Sequence, residues 1–225
     1  MSVLVYTESW EGCFRKSTYE AVSYSSEIAK LFETDVIAIS FGNESDNELK
    51  KLAKYGANKV LSANEIEKGN SEAATNLVAA NSTGASIIIF SSTYTSKMIA
   101  PRLAAKIKAG IVSSVISMPI SIAPIKIKRK AFSSKAIEIA IINTEQAIIT
   151  LAPNSFGLVE YAGDCKIEKI EGSSIGNITI NGNEVTSGKI PLAEAEIVVS
   201  GGRGLKGPEN WKMIEELAEL KSFKS

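Results

Sequence analysis

Along the first 110 or so positions, short runs of aliphatic and β-branched residues alternate with segments whose apolar residues recur at helical spacing. Val3–Tyr6, Val36–Ser40, Lys59–Leu61 and Ser86–Phe90 are the short runs, and they predict strands. Between the first two, Ala21, Tyr24, Ile28 and Leu31 follow one another at steps of three or four behind Ser17-x-x-Glu20. That predicts an amphipathic helix opened by a capping box. A second helix carries Leu49, Leu52 and Ala53 and stops at Gly56, a third spans about Glu72 to Ala80, and a fourth about Ser96 to Lys108, with Pro101 starting or kinking it. Strand and helix in strict alternation imply crossover units and a parallel sheet.

After Gly110 the helical period disappears. Ile111–Ile122, Ile125–Lys130, Ala136–Ile142 and Ala147–Leu151 all read as strands, best arranged as an antiparallel extension of the sheet. Lys126, Lys128 and Lys130 alternate with Ile125, Ile127 and Ala131, so one face of that strand is wet and the other dry. A phosphate-binding strip is the less favoured reading of the lysines; a solvated or edge-protecting face is the better one. From Glu160 to Lys189 the chain is rich in Gly, Ser, Asn and Glu, which predicts loops and a linker. Beyond it a strand at Glu196–Val199, a glycine-rich turn and a helix from Pro208 with Ile214, Leu217 and Leu220 on one face begin a second α/β domain. The expected architecture is therefore a three-layer α/β/α domain over residues 1–188, its mainly parallel, doubly wound sheet extended by antiparallel strands, followed by a truncated second α/β domain over 189–225.

Composition narrows the chemistry. The chain has 225 residues with 25 basic and 25 acidic side chains, so it lacks the basic excess of a nucleic-acid binder. It contains no histidine, which removes the usual general base near neutral pH and the commonest metal ligand. Cys13 and Cys165 are far apart in sequence and offer no metal or redox pair spacing, so both are expected to be reduced structural thiols. The first residues read as a strand with no targeting segment, and no apolar run has the length of a membrane span, so a cytoplasmic location without membrane insertion is expected.

One stretch carries a recognition motif. Ser200-Gly201-Gly202-Arg203-Gly204-Leu205-Lys206-Gly207 fits Gly-x-Gly-x-x-Gly between a predicted strand and helix, where backbone amides and a helix N-terminus can approach a pyrophosphate. The acidic residue that holds a ribose in the plain dinucleotide fingerprint lies about 20 residues further on, beyond Ser225. No Gly-Lys is followed by Ser or Thr, so a P-loop is excluded. The bland alternative is a turn whose glycines supply positive φ. Arg203 argues for more, because a guanidinium in a glycine turn offers five donors to a phosphate or a flavin edge.

The segment from Pro191 to Trp211 around this motif resembles the opening of the FAD-binding domain in the alpha subunit of electron transfer flavoprotein. Tyr55-Gly56-Ala57-Asn58-Lys59-Val60, Ala100-Pro101-Arg102-Leu103-Ala104-Ala105 and Arg129-Lys130-Ala131-Phe132 resemble the same family's amino-terminal domain, and the matches run in order from Met1 to about Leu220. The resemblance implies an electron carrier rather than a catalyst of bond chemistry: one half of a heterodimer with a beta subunit, holding FAD. It further implies that electrons pass from flavin dehydrogenases such as acyl-CoA dehydrogenases to a membrane quinone reductase. By the same resemblance Arg203 contacts FAD, Gly202 and Gly204 form the turn that lets the cofactor approach, and an AMP site is not expected. After Leu220 the sequence has no counterpart of the family's later flavin-contacting motifs, so an incomplete FAD site is expected, with Ile214, Leu217 and Leu220 exposed or bound to a partner. Two further readings stand beside this one: a cofactor-free scaffold that only pairs with the beta subunit, and a nucleotide-binding module.

Overall fold

Strand β1 (Ser2–Thr7) is apolar on both faces and is the strand around which the sheet grows. The computed structural model describes residues 2–64, 66–67, 69–172, 177–182, 192, 195 and 197–222. After β1 come a short hairpin, β2 (Ser9–Trp10) and β3 (Cys13–Phe14), then α1 (Lys16–Leu31) and β4 (Asp35–Phe41). There follow α2 (Asp46–Lys50), continued by a 3-10 turn over Lys51–Tyr55, then β5 (Lys59–Ala63), α3 (Ser71–Ala80), β6 (Ala85–Ser91) and α4 (Tyr94–Ile107). Five strands come next: β7 (Gly110–Val115), β8 (Ser121–Ile122), β9 (Ile125–Ala131), β10 (Ala136–Ile142) and β11 (Ala147–Leu151). Finally come β12 (Lys166–Lys169) and α5 (Lys212–Ser222).

The strands lie in the order β10-β9-β7-β11-β6-β1-β4-β5-β12, with β8 paired to β9 off this path. From β7 to β12 in that order every neighbour is parallel. β9 and β10 continue the sheet antiparallel. Because side chains alternate along a strand, Val3 and Val5 enter one core and Leu4 and Tyr6 the other. The first core lies under α1 and holds Tyr24, Ile28, Leu52, Val60, Ile89 and Ile149. The second lies under α3 and α4 and holds Ile39, Leu77, Val78, Phe90, Ile99 and Leu103. The three-layer, doubly wound arrangement is the expected one.

Several expectations are corrected within this domain. Ala147–Leu151 does not extend the sheet antiparallel; it inserts between β6 and β7, parallel to both. All five of its residues are buried, which is what a continuous apolar run reports when both faces are covered. The stretch read as linker from Glu160 contains β12, parallel to β5 at the sheet edge. Its sequence Lys-Ile-Glu-Lys has a single apolar position, because only one of its sides meets protein, and Lys59 holds Glu168 at 2.9 Å across the pair. The capping box is also absent: the N-cap of α1 is Arg15, with no side-chain cap, and Ser17 and Glu20 both lie inside the helix. The predicted strand over Ile111–Ile122 is interrupted, and of the two places open to Pro101, the start of the helix or its interior, it takes the interior of α4.

The chain divides into two compact units, Met1–Glu184 and Val185–Ser225. The boundary expected at residues 188 and 189 falls outside the described residues. In the second unit α5 forms as anticipated, but Ile197–Val199 are not in a strand, and Glu196, the remaining residue of that expected strand, lies outside the described residues. A strand exists through the ladder it makes with a neighbour, and the described residues of this unit supply none.

Candidate functional site

The glycine-rich segment folds as two successive tight turns ahead of α5. Arg203–Leu205 is a single 3-10 turn, closed by the Leu205 amide donating to the Gly202 carbonyl at 3.1 Å and the Lys206 amide to the Arg203 carbonyl at 3.1 Å. Asn210 Nδ2 donates to the Leu205 carbonyl at 2.7 Å, and Pro208 opens the next turn, Pro208–Asn210, where its missing N–H and fixed φ suit a helical start. The reading that these glycines supply positive φ does not hold: the left-handed residue is Lys206, at φ 64°, while Gly202 sits at φ −93° and Gly207 at −167°. What glycine does here is spatial. An added Cβ would run into the end of the Leu205 side chain at Gly201 and into the Glu209 carboxylate at Gly207, so at both positions a neighbouring side chain fills the space that a Cβ would take.

On either side of Arg203, by contrast, a Cβ on Gly202 or Gly204 would meet nothing within 4 Å. Arg203 is exposed, and its guanidinium has no hydrogen-bond or ion-pair partner among the described residues. An unpaired fork of donors flanked by unobstructed backbone fits an anionic, planar-edged group such as the pyrophosphate or ring edge of a flavin nucleotide. The three sequence-predicted residues, Gly202, Arg203 and Gly204, are therefore brought together on one exposed turn. The apolar face behind them is only partly covered: Leu217 and Leu220 are exposed and Ile214 half-buried.

A second polar cluster, at the carboxyl end of the sheet, was not anticipated from the sequence. In open α/β sheets that edge, where strand order reverses, is where ligands bind. Here β1 lies between β6 and β4, and the chain's own carboxylates fill the edge. Glu8, just after β1, accepts hydrogen bonds at 2.7 Å from both Thr93 and Thr95 at the start of α4. Glu44 accepts from the hydroxyls of Ser9 and Ser40, and Glu48 from the Phe14 amide at 2.9 Å, the Tyr19 hydroxyl at 3.1 Å and Lys51. Burial opposes ionisation of Glu48, yet Lys51, the Phe14 amide and the Tyr19 hydroxyl outweigh it and hold the carboxyl below its ordinary range. Desolvation and the facing Glu48 push the Tyr19 phenol well up. Isolated acidic residues in loops or a one-turn helix carry no periodic signal, so only the fold shows where they lie.

The sign of the Glu48 shift sets a pH dependence. A carboxyl with a lowered folded pKa stabilises the fold above its unfolded value of about 4.5, and that contribution disappears as pH falls through the folded value. Chemical denaturation midpoints of the native chain are expected to fall below about pH 4.5, and the acid limb is expected to be shallower in Glu48→Gln. Identical acid limbs in the two proteins would show that the Glu48 contacts contribute nothing to folding.

The described residues hold no group of three His, Cys, Asp or Glu side chains placed to bind a metal ion. None of their helices is long and apolar enough to cross a membrane. Cys13 is exposed and Cys165 buried, and neither is in a disulfide.

Residues 3–174 match the family model described as electron transfer flavoprotein domain. The chain belongs to the electron transfer flavoprotein family. Residues 191–222, which include the Arg203 turn, match the model of the family's FAD-binding domain. Relatives include the electron transfer flavoprotein subunit alpha of Bacillus subtilis, 28% identical over 97% of this chain and 69% of that protein. The protein of the same name from Syntrophomonas wolfei is 28% identical over 96% of this chain and 69% of its own length. Protein FixB of Clostridium saccharobutylicum is 26% identical over 97% of this chain and 69% of its own. Two of these three relatives carry the name of the alpha subunit, as the motifs implied.

Proposed function

We propose that the chain works as the alpha-type half of an electron carrier, pairing with a beta subunit and contributing the Arg203 turn to a shared FAD site. The observation that carries this reading is the exposed guanidinium of Arg203, unpaired among the described residues and set between two open glycines, inside the segment that matches the FAD-binding domain. Bound FAD supplies the redox chemistry. Arg203 offers its fork of donors to the cofactor's anionic or carbonyl edge, and Gly202 and Gly204 keep side chains out of the way so that the backbone approaches closely. No proton-abstracting base is needed for such a role, and the chain is not an enzyme in its own right. Flavin dehydrogenases such as acyl-CoA dehydrogenases are the proposed donors and a membrane quinone reductase the proposed acceptor, with the carrier itself in the cytoplasm. The proposed domain division is an amino-terminal domain over 1–188 and the FAD-binding segment over 189–225.

The test is flavin retention by the co-expressed pair after gel filtration. Arg203→Ala is expected to weaken FAD binding by roughly 10- to 100-fold, the loss of one charge-assisted contact of about 1.5–3 kcal/mol. Arg203→Lys is expected to recover only part of this, because an ammonium cannot reproduce the planar fork. Undiminished flavin in Arg203→Ala would remove the assigned role. A cofactor-free pairing domain is the second reading, favoured by the closure of the sheet's carboxyl edge by Glu8, Thr93 and Thr95. It requires the beta subunit to co-purify while the flavin band is absent from the native pair.

A further inference from the structure

Lys206 has the least ordinary backbone in the glycine-rich segment. Its φ of 64° has the sign that L side chains resist, and its ψ of −39° takes it out of the left-handed helical well, where ψ is positive as well. The next amide accounts for this pair of angles: Gly207 N donates back to the Leu205 carbonyl at 2.7 Å and closes a three-residue ring around Lys206. Positive φ, negative ψ and a hydrogen bond from residue i+2 to residue i together make the rarer, strained form of the γ-turn. Glycine takes positive φ without a Cβ penalty, whereas a lysine has to be held there. Lys206 is exposed, so core packing does not hold it.

Strain of this kind persists only where neighbouring contacts over-determine it. The contact here is Asn210, whose Nδ2 donates at 2.7 Å to the same Leu205 carbonyl, so that one oxygen is gripped by two donors from further along the chain. Asn210 is itself fixed by its amide on the Gly207 carbonyl at 3.2 Å, at the end of the Pro208–Asn210 turn that leads into α5. On the other side of the ring, the Lys206 amide closes the turn that carries Arg203. Lys206 is therefore the joint between the Arg203 turn and α5, and a change of φ or ψ there swings one against the other.

We infer that Asn210 is a positioning residue: by clamping the strained joint at Lys206 it aims the Arg203 guanidinium before FAD arrives. The inference rests on the flavin reading of the Arg203 turn and names the residue that acts through Arg203. Arg203 is exposed, its guanidinium has no partner among the described residues that could aim it, and the open space beside Gly202 and Gly204 restrains it little. With the joint loose, ordering the turn on binding would subtract directly from affinity.

A cycle of substitutions in the co-expressed pair, stripped of flavin and titrated with FAD, tests this. Asn210→Ala is expected to weaken FAD binding roughly 3- to 10-fold, the worth of one hydrogen bond, with the thermal midpoint and co-purification of the beta subunit unchanged. Asn210→Asp, which has no donor at neutral pH, is expected to lose as much. In an Arg203→Ala background Asn210→Ala is expected to change nothing further, because the aim of an absent guanidinium has no effect. Adding Lys206→Gly to Asn210→Ala is expected to recover much of the loss, since glycine takes positive φ without a clamp. Equal losses from Asn210→Ala with and without Arg203 would make Asn210 a structural cap and overturn the inference while leaving the role of Arg203 intact. A further loss on adding Lys206→Gly would overturn it as well, by making the ammonium itself the contact. Full FAD retention in Arg203→Ala would instead remove the flavin reading, and the positioning role with it.

Discussion

Replacing Glu20 by alanine is expected to destabilise the amino-terminal unit by about 3 kcal/mol and to lower its thermal midpoint by roughly 6–12 °C. The side chain is buried within α1, where a carboxylate is tolerated only if its oxygens are matched. They are matched by three backbone donors from the loop after β11: Asn154 at 2.8 Å on one oxygen, Phe156 at 2.8 Å and Gly157 at 2.9 Å on the other. Phe156, held in this way, rests edge-on against Tyr24 with ring centroids 5.3 Å apart, and Ser23 adds a reciprocal pair of bonds with Val159. Glu20 therefore ties the loop of residues 152–159 to α1. Glu20→Gln is expected to cost less than alanine, since an amide keeps one acceptor but turns an NH2 toward a backbone N–H. Hydrogen exchange separates this account from simple loss of packing: the amides of Asn154, Phe156 and Gly157 are expected to lose protection ahead of the central strands. If those amides remain as protected in Glu20→Ala as in the native chain, the anchoring role is wrong.

A comparable loss, about 3 kcal/mol, is expected for Gly56→Ala, from two sources that can be measured apart. Gly56 closes the turn after α2 at φ 103° and ψ 13°, a left-handed conformation that costs an alanine roughly 1–2 kcal/mol. An added Cβ would also lie 2.4 Å from Ser26 Oγ, 2.5 Å from Ser26 Cβ and 3.1 Å from Tyr161 Cε2, so α1 or the turn must move. Ser26→Gly removes the first two contacts but leaves the backbone conformation unchanged. In urea titrations the double variant is expected to be more stable than the sum of the two single losses predicts, by roughly 1–2 kcal/mol. Strict additivity would place the whole effect in the backbone and dismiss the close approach of α1.

Both positions show how far local pattern reaches. Gly56 was legible as a helix stop, because a glycine after an apolar helical run has few other uses. Its second duty, admitting α1 to within contact of the turn, was not, since Ser26 is thirty positions away and carries no mark of that approach. Glu20 was misread outright. Ser17-x-x-Glu20 has the spacing of a capping box, but the helix begins earlier, at Lys16, and the carboxylate points to a loop more than 130 positions on. A spacing rule reports what a side chain can reach along its own helix and is silent about tertiary competitors for the same oxygens.

The glycine-rich turn was singled out by its residue types, and its local geometry is only in part the one its sequence suggested. Arg203 stood out because nothing in packing calls for a guanidinium there, and the structure leaves it exposed and unpaired among the described residues. The bland alternative, glycines supplying positive φ, does not hold: Gly202 and Gly204 leave open space beside Arg203, and the crowded positions of the set are Gly201 and Gly207. The acidic cluster of Glu8, Glu44 and Glu48 had no sequence signal of any kind, being assembled from the ends of β1 and β4 and from α2.

What the sequence determined by itself is the set of elements with strong local period: β1, β4, β5 and β6, the helices between them, the absence of histidine chemistry, and the motifs that mark the family. Each of these rests on interactions between near neighbours in the chain, which periodicity and turn residues encode. Tertiary structure alone decided the order of the sheet, the burial of Ala147–Leu151 between β6 and β7, the recruitment of Lys166–Lys169 as an edge strand, and the partners of Glu20 and Glu8. Those choices are made between segments far apart in sequence, where a strand's partner is set by which edge remains free and which faces still need covering.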